Sequence, residues 1–249
     1  MLTAFVPAAP PRDPWVGDLF GPEVLSLSAR PLAGEGDLLP AERALVARAG
    51  EARRREFATG RLCARRLLEE LGIGDFPLLR GPDRAPLWPR GIAGSISHCA
   101  DLCVVVVARR ESVLALGVDV EPADPLEAEL WPTVCTSREL GALDAASGVD
   151  RGRLARLFFS AKEASYKCVR SAGGPELGFH DVEVSLERGS GRFAAKWRDA
   201  ADDDRIRSGG SDGSGWTGCS GRYAFRGRWI FTGVALPVPE RALRPAGMR

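Results

Sequence analysis

Three short segments of the chain carry side chains that could handle phosphate together with a divalent cation. One of them is the segment GVDVE at positions 117–121, in which two carboxylates alternate with valines. In a β-strand, residues two apart face the same side, so Asp119 and Glu121 would project together while the valines pack behind them. Neighbouring carboxylates repel each other unless a cation lies between them, and Mg²⁺ prefers such oxygen ligands together with phosphate and water. Two solvated acids at the end of an edge strand would give the same pattern.

The second segment is GSISHC at positions 94–99, which contains one of the two histidines of the chain. Ser97 and His98 follow a loop rich in glycine and proline and lie where an apolar run begins. Hydroxyl groups, backbone N–H groups and an imidazole at a strand end are suited to contact phosphate or pyrophosphate. A histidine that only satisfies a turn by hydrogen bonding would look the same.

The third segment is FFSAKEASYK at positions 158–167. On a helix, Glu163 and Lys167 are i, i+4 neighbours in the favourable order, with the acid first. Phe159 and Tyr166 are seven positions apart and would share a buried stripe. An ordinary surface ion pair, which contributes only about 0.3–0.5 kcal/mol, is equally compatible with this motif.

A scaffold of helices and strands must bring these segments together. Positions 40–71 predict a long helix, because apolar residues recur every three to four positions; Gly72 ends this helix, and Gly50 could divide it in two. Two apolar runs, at 95–108 and 113–121, predict strands that a four-residue hairpin connection would join.

The rest of the sequence predicts further helices and strands and one long loop. The predicted elements are a weak strand at 20–27, helices at 137–146 and 154–171, and strands at 182–186, 192–197 and 221–235. The segment 199–220 is polar and rich in glycine, which predicts a mobile loop to which no role is assigned.

The composition is that of a soluble globular protein. The chain has 249 residues, 45% of them hydrophobic and 27% charged, with a formal net charge of +1, so no overall field attracts nucleic acid or an anionic membrane. No run approaches the roughly 20 apolar residues of a membrane span, and the N-terminus lacks the pattern of a signal peptide. The six cysteines have no zinc-ligand spacing, which indicates reduced thiols in a cytoplasmic protein.

The three segments occur in a fixed order, together with RRREFATGR at positions 53–61 and GPDRAPLWP at 81–89. With this combination the chain resembles the phosphopantetheinyl transferases of the surfactin-synthetase-activating class. Within that class it is most similar to the branch that contains enterobactin synthase component D. The resemblance runs from about Arg53 to Arg170 and continues more weakly through the C-terminal strands.

The resemblance implies an α+β fold of two similar α+β subdomains, related by a pseudo-two-fold axis, with coenzyme A in the cleft between them. We expect residues 1–112 to form the N-terminal subdomain and residues 113–249 the C-terminal one. The implied reaction transfers phosphopantetheine from coenzyme A to a serine of an apo acyl or peptidyl carrier protein and releases adenosine 3′,5′-bisphosphate. A monomer is expected, acting on carriers of peptide, polyketide or siderophore synthesis.

The resemblance also implies the residues that carry out the reaction. Asp119, Glu121 and Glu163 would hold Mg²⁺ against the pyrophosphate, and Glu163 would also act as the general base on the carrier's serine. Lys167 would stabilise the charge of the transferring phosphoryl group, and His98 would contact phosphate oxygens of coenzyme A. The complete set implied to bind coenzyme A is Arg53, Arg61, Arg84, Ser97, His98 and Lys167, with the first two at its 3′-phosphate.

Two other functions use similar groups. A Mg²⁺-dependent hydrolase of nucleotides or phosphoanhydrides would need the same acids, with water as the nucleophile. A catalytically inactive scaffold subunit would retain the fold, although such a subunit is expected to lose at least one of Asp119, Glu121, Glu163 and Lys167, all of which are present.

Overall fold

The computed structural model describes residues 13–99, 101–146, 149–187, 189–197 and 217–239. In this part of the chain, helices combine with two antiparallel sheets, which agrees with the predicted α+β class. The α-helices are α1 (Pro40–Arg43), α2 (Glu51–Glu70), α3 (Trp131–Val134), α4 (Ser137–Asp144) and α5 (Val149–Ser171). The strands are β1 (Leu25–Ala29), β2 (Ile92–Cys99), β3 (Leu102–Arg109), β4 (Val113–Pro122), β5 (Val182–Glu187), β6 (Arg192–Trp197), β7 (Gly218–Arg226) and β8 (Trp229–Pro237).

The first sheet has the strand order β1-β3-β2 and packs against α2. The single strand predicted at 95–108 is wrong, because this segment forms the hairpin of β2 and β3, which closes at the Cys99–Leu102 pair. The valine run of β3 is buried on both faces of the sheet. Val105 and Val107 pack towards α2, whereas Val104 and Val106 pack towards the second sheet. A strand covered on both sides is apolar throughout, and this continuity conceals where the chain turns.

The second sheet has the strand order β4-β8-β7-β6-β5 and packs against α5. The single strand predicted at 221–235 is also wrong, since a tight turn at Gly227 (φ +58°) divides it into the hairpin of β7 and β8. The strands predicted at 182–186 and 192–197 are confirmed as β5 and β6. Residues up to 216 of the predicted loop 199–220 lie outside the described residues, and its last three begin β7.

The two sheets meet along a seam between β2 and β4. The hairpin predicted between 95–108 and 113–121 is therefore wrong, because β3 and β4 belong to different sheets. The backbone N–H of Val118 donates to Ser95 Oγ (3.1 Å), and that of Val120 donates to Ser97 Oγ (3.3 Å). Serine hydroxyls of β2 thus satisfy edge N–H groups of β4 that would otherwise lack partners.

The helices follow the sequence pattern with shifted boundaries. The long helix predicted at 40–71 is two helices, with Gly50 as the N-cap of α2, and Gly72 follows its end with φ +79°. The helices predicted at 137–146 and 154–171 are confirmed as α4 and α5, although α5 begins earlier. The weak strand predicted at 20–27 is β1, which lies further along the chain. No α-helix in the described ranges is long and apolar enough to cross a membrane.

A close approach of β4 to α5 depends on Gly117. A Cβ at this position would lie 1.9 Å from the carbonyl oxygen of Ala164 and 2.8 Å from the backbone nitrogen of Cys168. Both of these atoms belong to the backbone of α5, so neither can rotate away as a flexible side chain would. The glycine of the LGVDVE motif therefore lets β4 lie directly against the helix that carries Glu163 and Lys167.

We expect Gly117→Ala to destabilise the protein by about 3 kcal/mol or more, because the added methyl group forces two backbones apart. Urea denaturation measures the change in the free energy of unfolding. Gly141→Ala on α4 is the matched control, since a Cβ there meets nothing within 4 Å. A glycine-to-alanine change inside an exposed helix should stabilise it by about 0.5–1 kcal/mol. If the two variants had equal free energies of unfolding, the close packing of β4 against α5 would not depend on Gly117.

Candidate active site

Asp119 lies at the centre of the site and joins the three segments that carry the chemistry. Its side chain is almost fully buried on the face of β4 that meets α5. Oδ1 accepts hydrogen bonds from Ser97 Oγ (2.7 Å) and from Lys167 Nζ (2.6 Å), and Oδ2 accepts one from Ser160 Oγ (2.8 Å). β2, β4 and α5 therefore converge on one carboxylate, and Val118 and Val120 pack on the opposite face as predicted.

Lys167 pairs with Asp119 across the fold. Its ammonium group also donates to Ser97 Oγ (3.1 Å) and to the carbonyl oxygen of Val118 (3.3 Å). The predicted i, i+4 pairing with Glu163 is thus replaced by contacts to β2 and β4. These contacts hold the positive charge at the seam between the two sheets, and the side chain keeps a 26% exposed fraction.

Glu121 and Glu163 complete a group of three acids. Burial, and then the charge of Asp119, raise the pKa of Glu121 to about 7. Burial also raises the pKa of Glu163; Lys167 opposes this change and Asp119 adds to it. Each acid is therefore within electrostatic reach of Asp119, and their mutual repulsion would be relieved by a cation.

The donor set fits a hard divalent cation such as Mg²⁺, which takes carboxylate oxygens. Two of these acids are already paired: Asp119 with Lys167, and Glu121 with Arg156 at 3.2 Å. In keeping with this, the described residues contain no ready-formed group of three metal-ligating side chains. Two basic side chains therefore occupy acid oxygens that a cation at this site would otherwise be able to use.

His98 lies in a second charged cluster beside the acids. Arg53 donates a hydrogen bond to His98 Nε2, and Glu56 lies 3.2 Å from Arg53 and 3.4 Å from His98 Nδ1. Burial and the positive charge of Arg53 lower the pKa of His98, so its imidazole is neutral at neutral pH. The structure thus brings the two predicted phosphate-binding side chains, Arg53 and His98, into direct contact.

The other two predicted arginines occupy different surroundings. Arg61 is 6% exposed, donates from Nε to the carbonyl oxygen of Leu78 (2.8 Å) and lies 4.0 Å above the ring of Phe57. Desolvation lowers the pKa of its guanidinium to about 10. Arg84 is exposed and has φ +67°, in the left-handed region, within a tight loop. Its role at coenzyme A, like that of Arg61, stays a prediction.

A cavity of about 670 Å³ opens beside Lys167, between the loop that carries Arg84 and the C-terminal half of α5. Its walls include Trp88 and Tyr166, which supply aromatic surface. Asp83 of the loop forms a 3.0 Å salt bridge with Arg170 of α5. The cavity therefore lies between β2 of the first sheet and α5, the helix that packs against the second sheet, and Ser95 and Lys167 are among the residues that line it.

Sequence reasoning missed a buried lysine directly before Glu163. Lys162 is 2% exposed, and its ammonium group contacts Glu139 Oε2 (2.7 Å) and the carbonyl oxygens of Val134 (2.8 Å) and Phe179 (2.7 Å). Its position four residues after the buried Phe158 is the signal that it lies on the inner face of α5. This contact network fixes the turn of helix on which Glu163 lies.

We expect Lys162→Met to destabilise the protein by about 3–5 kcal/mol, because Glu139 is left charged and unpaired in the interior. Chemical denaturation measures the change. The double variant Lys162→Met with Glu139→Gln should recover part of that stability, since neither partner is then charged. If the single variant is as stable as the native protein, the buried pair has no structural importance.

Comparison with known proteins identifies the class to which this fold and this site belong. Residues 41–108 match the family model for the 4′-phosphopantetheinyl transferase N-terminal domain, and residues 115–220 match that of the 4′-phosphopantetheinyl transferase superfamily. The chain is 37% identical over 166 residues to the 4′-phosphopantetheinyl transferase PptT of Mycobacterium tuberculosis, which covers 64% of this chain and 71% of PptT. The chain belongs to the 4′-phosphopantetheinyl transferase family.

Two further relatives support this assignment. The 4′-phosphopantetheinyl transferase Svp of Streptomyces mobaraensis is 41% identical over 161 residues, which span 64% of this chain and 65% of Svp. Enterobactin synthase component D of Salmonella typhi is 39% identical over 121 residues, 48% of this chain and 49% of that protein. The protein is therefore a holo-carrier-protein synthase, which transfers phosphopantetheine from coenzyme A to an apo carrier protein, and the predicted reaction is confirmed.

Proposed function

We propose that Asp119, Glu121 and Glu163 hold Mg²⁺ in this transferase and that Glu163 is the general base. The position of Asp119 carries the proposal, because side chains of β2 and α5 meet its carboxylate and its charge helps to raise the pKa of both Glu121 and Glu163. When bound, the metal would withdraw charge from the pyrophosphate of coenzyme A. The division of the chain at residue 112, with each part contributing to this cleft, remains part of the proposal.

Glu163 is suited to accept the proton of the carrier's serine. It forms no salt bridge with another described residue, whereas Asp119 and Glu121 each have a basic partner. Burial raises the pKa of its carboxyl group towards the neutral range in which a general base is most effective. As the serine oxygen forms its bond to the phosphorus of the phosphopantetheine, the proton passes to Glu163. The bond from that phosphorus to the adenosine bisphosphate breaks.

Lys167 and His98 would stabilise the phosphates during this transfer. Lys167 is fixed by Asp119 and Ser97 but remains partly exposed, so its charge is pre-oriented for an anion. The ring N–H of neutral His98 lies on Nδ1 beside Glu56, because Nε2 accepts from Arg53, so a contact to phosphate would require the ring to give up one of these partners. Ser97 donates to Asp119 and accepts from Val120 N–H, so we propose that its hydroxyl positions the acid in place of the predicted phosphate contact.

Coenzyme A itself would lie in the cavity beside Lys167. Arg53 carries an exposed guanidinium next to His98, and Arg84 lines the cavity wall, so both are placed to meet phosphate groups. The fork of a guanidinium matches the oxygens of a phosphate better than an ammonium group does. This arrangement supports the predicted roles of Arg53 and Arg84 more directly than that of the buried Arg61.

The finer assignment is to the surfactin-synthetase-activating class and its enterobactin synthase component D branch. The likeness to enterobactin synthase component D supports carriers of siderophore, peptide or polyketide synthesis as substrates. The loop that carries Arg84, β2 and α5 line the cavity within one chain, which supports the proposal of a monomer. The six free thiols suit the reducing cytoplasm. A lack of affinity for nucleic acid and membranes remains predicted from the net charge of +1.

Removal of divalent metal tests the proposal. Chelation by EDTA is expected to lower the rate of transfer by about 100-fold or more, because three converging acids without a cation repel the phosphates of coenzyme A. Addition of Mg²⁺ should restore the rate. Transfer is measured as the fraction of apo carrier that gains phosphopantetheine, with adenosine 3′,5′-bisphosphate as the second product. An enzyme that works at its full rate in EDTA would rule out the metal site, and nucleotide release without carrier would indicate hydrolysis.

A further inference from the structure

Arg156 lies at the edge of the site, although it belongs to none of the three segments that indicated the chemistry. It is on α5, seven positions before Glu163. Its Nη1 atom lies 3.2 Å from Glu121 Oε2, and the two side chains are 21% and 18% exposed. Its Nε atom makes a longer contact of 3.4 Å to the carbonyl oxygen of Asp124. The guanidinium therefore covers a carboxylate that the proposed function assigns to the metal.

Within the described ranges, the acids of the site have two basic partners, and one of these is held by more contacts than the other. Lys167 has three contacts, one of them the 2.6 Å pair with the buried Asp119. Arg156 has one contact to a carboxylate and one long contact to a carbonyl, and both are partly open to water. Of the two basic side chains, Arg156 is the one that can leave its acid while losing fewer contacts.

We propose that Arg156 is a positioning residue that holds Glu121 until a divalent cation binds, and that the cation then displaces its guanidinium. The inference rests on the proposed metal site. A guanidinium at 3.2 Å from a ligand oxygen and a divalent cation on that same oxygen would repel each other strongly. Arg156 thus keeps Glu121 oriented in the metal-free enzyme and lowers the affinity of the site for the cation.

A neighbouring arginine offers the contrasting case. Arg153, one turn earlier on the same helix, donates from Nε to the carbonyl oxygen of Ala123 (2.8 Å) and, among the described residues, forms no hydrogen bond or salt bridge with a metal-site acid. Both arginines fasten the chain segment that follows β4 to α5. If Arg156 only fastened this segment, its removal would affect the site no more than the removal of Arg153.

Binding of Mn²⁺ to the complete protein without coenzyme A tests this inference, with free Mn²⁺ followed by electron paramagnetic resonance. We expect Arg156→Gln and Arg156→Met to bind Mn²⁺ about five-fold or more tightly than the native protein, because a positive charge is removed next to the ion. Arg156→Lys and Arg153→Gln should bind as the native protein does. Two uncharged variants are used so that a folding defect in one leaves the other to decide.

The possible outcomes separate this inference from the proposal beneath it. Suppose that the native protein binds Mn²⁺ and that Asp119→Ala loses this binding. Unchanged or weaker binding in the uncharged Arg156 variants would then overturn the role of Arg156 and leave the metal site intact. Native protein that binds no Mn²⁺ under any condition would overturn both. Tighter binding in Arg153→Gln as well would also overturn it, since the effect would then not be specific to the partner of Glu121.

Discussion

Glu163→Gln is expected to slow phosphopantetheine transfer by about 10³-fold or more while the protein stays folded. Glutamine has nearly the size of glutamate, but it can neither accept the serine proton nor contribute a full negative charge to the cation. Both functions are lost in one substitution, so the effect should exceed that of removing a general base alone. The rate under saturating coenzyme A and carrier is the quantity to measure, because binding of both substrates should change less than the rate.

The matched control for this variant is Glu129→Gln, which removes the same charge from an exposed glutamate and should retain the native rate. A thermal melt of both variants would show that the folds are equally stable. If Glu163→Gln retained even a tenth of the native rate, Glu163 would be neither the base nor a necessary metal ligand. The base would then have to be sought elsewhere.

Asp119→Asn is the second substitution with a large expected effect. We expect a loss of about 10³-fold in transfer, because the buried acid loses its charge and Lys167 loses the partner that orients it. Stability should also fall, by about 1–3 kcal/mol, since a partly buried ammonium group is left without its carboxylate. The two effects have different causes and can be separated.

The double variant Asp119→Asn with Lys167→Met makes this separation. Without the ammonium group, most of the lost stability should return, whereas transfer should stay as low as in the single variant. Denaturation curves and initial rates on the same preparations provide both numbers. Activity that returned together with stability would contradict the roles proposed for both Asp119 and Lys167.

The placement of the acids on one face of β4 could be predicted from the sequence because it depends on a short local pattern. Asp119 and Glu121 alternate with Val118 and Val120, and the strand period alone places the acids on one face and the valines on the other. The glycine between Leu116 and Val118 belongs to the motif, but only the structure shows why a glycine is needed there. Its lack of a side chain lets the backbone of α5 pack directly against β4.

The partners of the basic residues could not be predicted in this way. The helical i, i+4 rule considers neighbours on the same helix, so it paired Lys167 with Glu163. The partner that holds Lys167 is Asp119, 48 positions away, which only the packing of α5 on β4 brings within reach. For the same reason, the pairing of Arg156 with Glu121 is not visible from local spacing.

The hairpins were misread for a related reason. β3 is covered on both faces, so its valines show no alternation, and the turn before Leu102 lacks the glycine or proline that marks many turns. A single strand at 221–235 likewise overlooks Gly227, which lies in the turn between β7 and β8. Strand boundaries are thus lost where burial removes periodicity or where a lone glycine makes the turn, whereas Gly50 and Gly72 mark the ends of helices.

The central claim is that the enzyme needs the acids on β4 and α5 to transfer phosphopantetheine from coenzyme A to a carrier's serine. The intact mass of an apo carrier domain, incubated with coenzyme A, Mg²⁺ and the enzyme, tests it most directly. The native enzyme is predicted to add one phosphopantetheine group to the carrier, and Glu163→Gln to leave the carrier mass unchanged over the same time. An unmodified carrier with the native enzyme, or equal modification by Glu163→Gln, would contradict it.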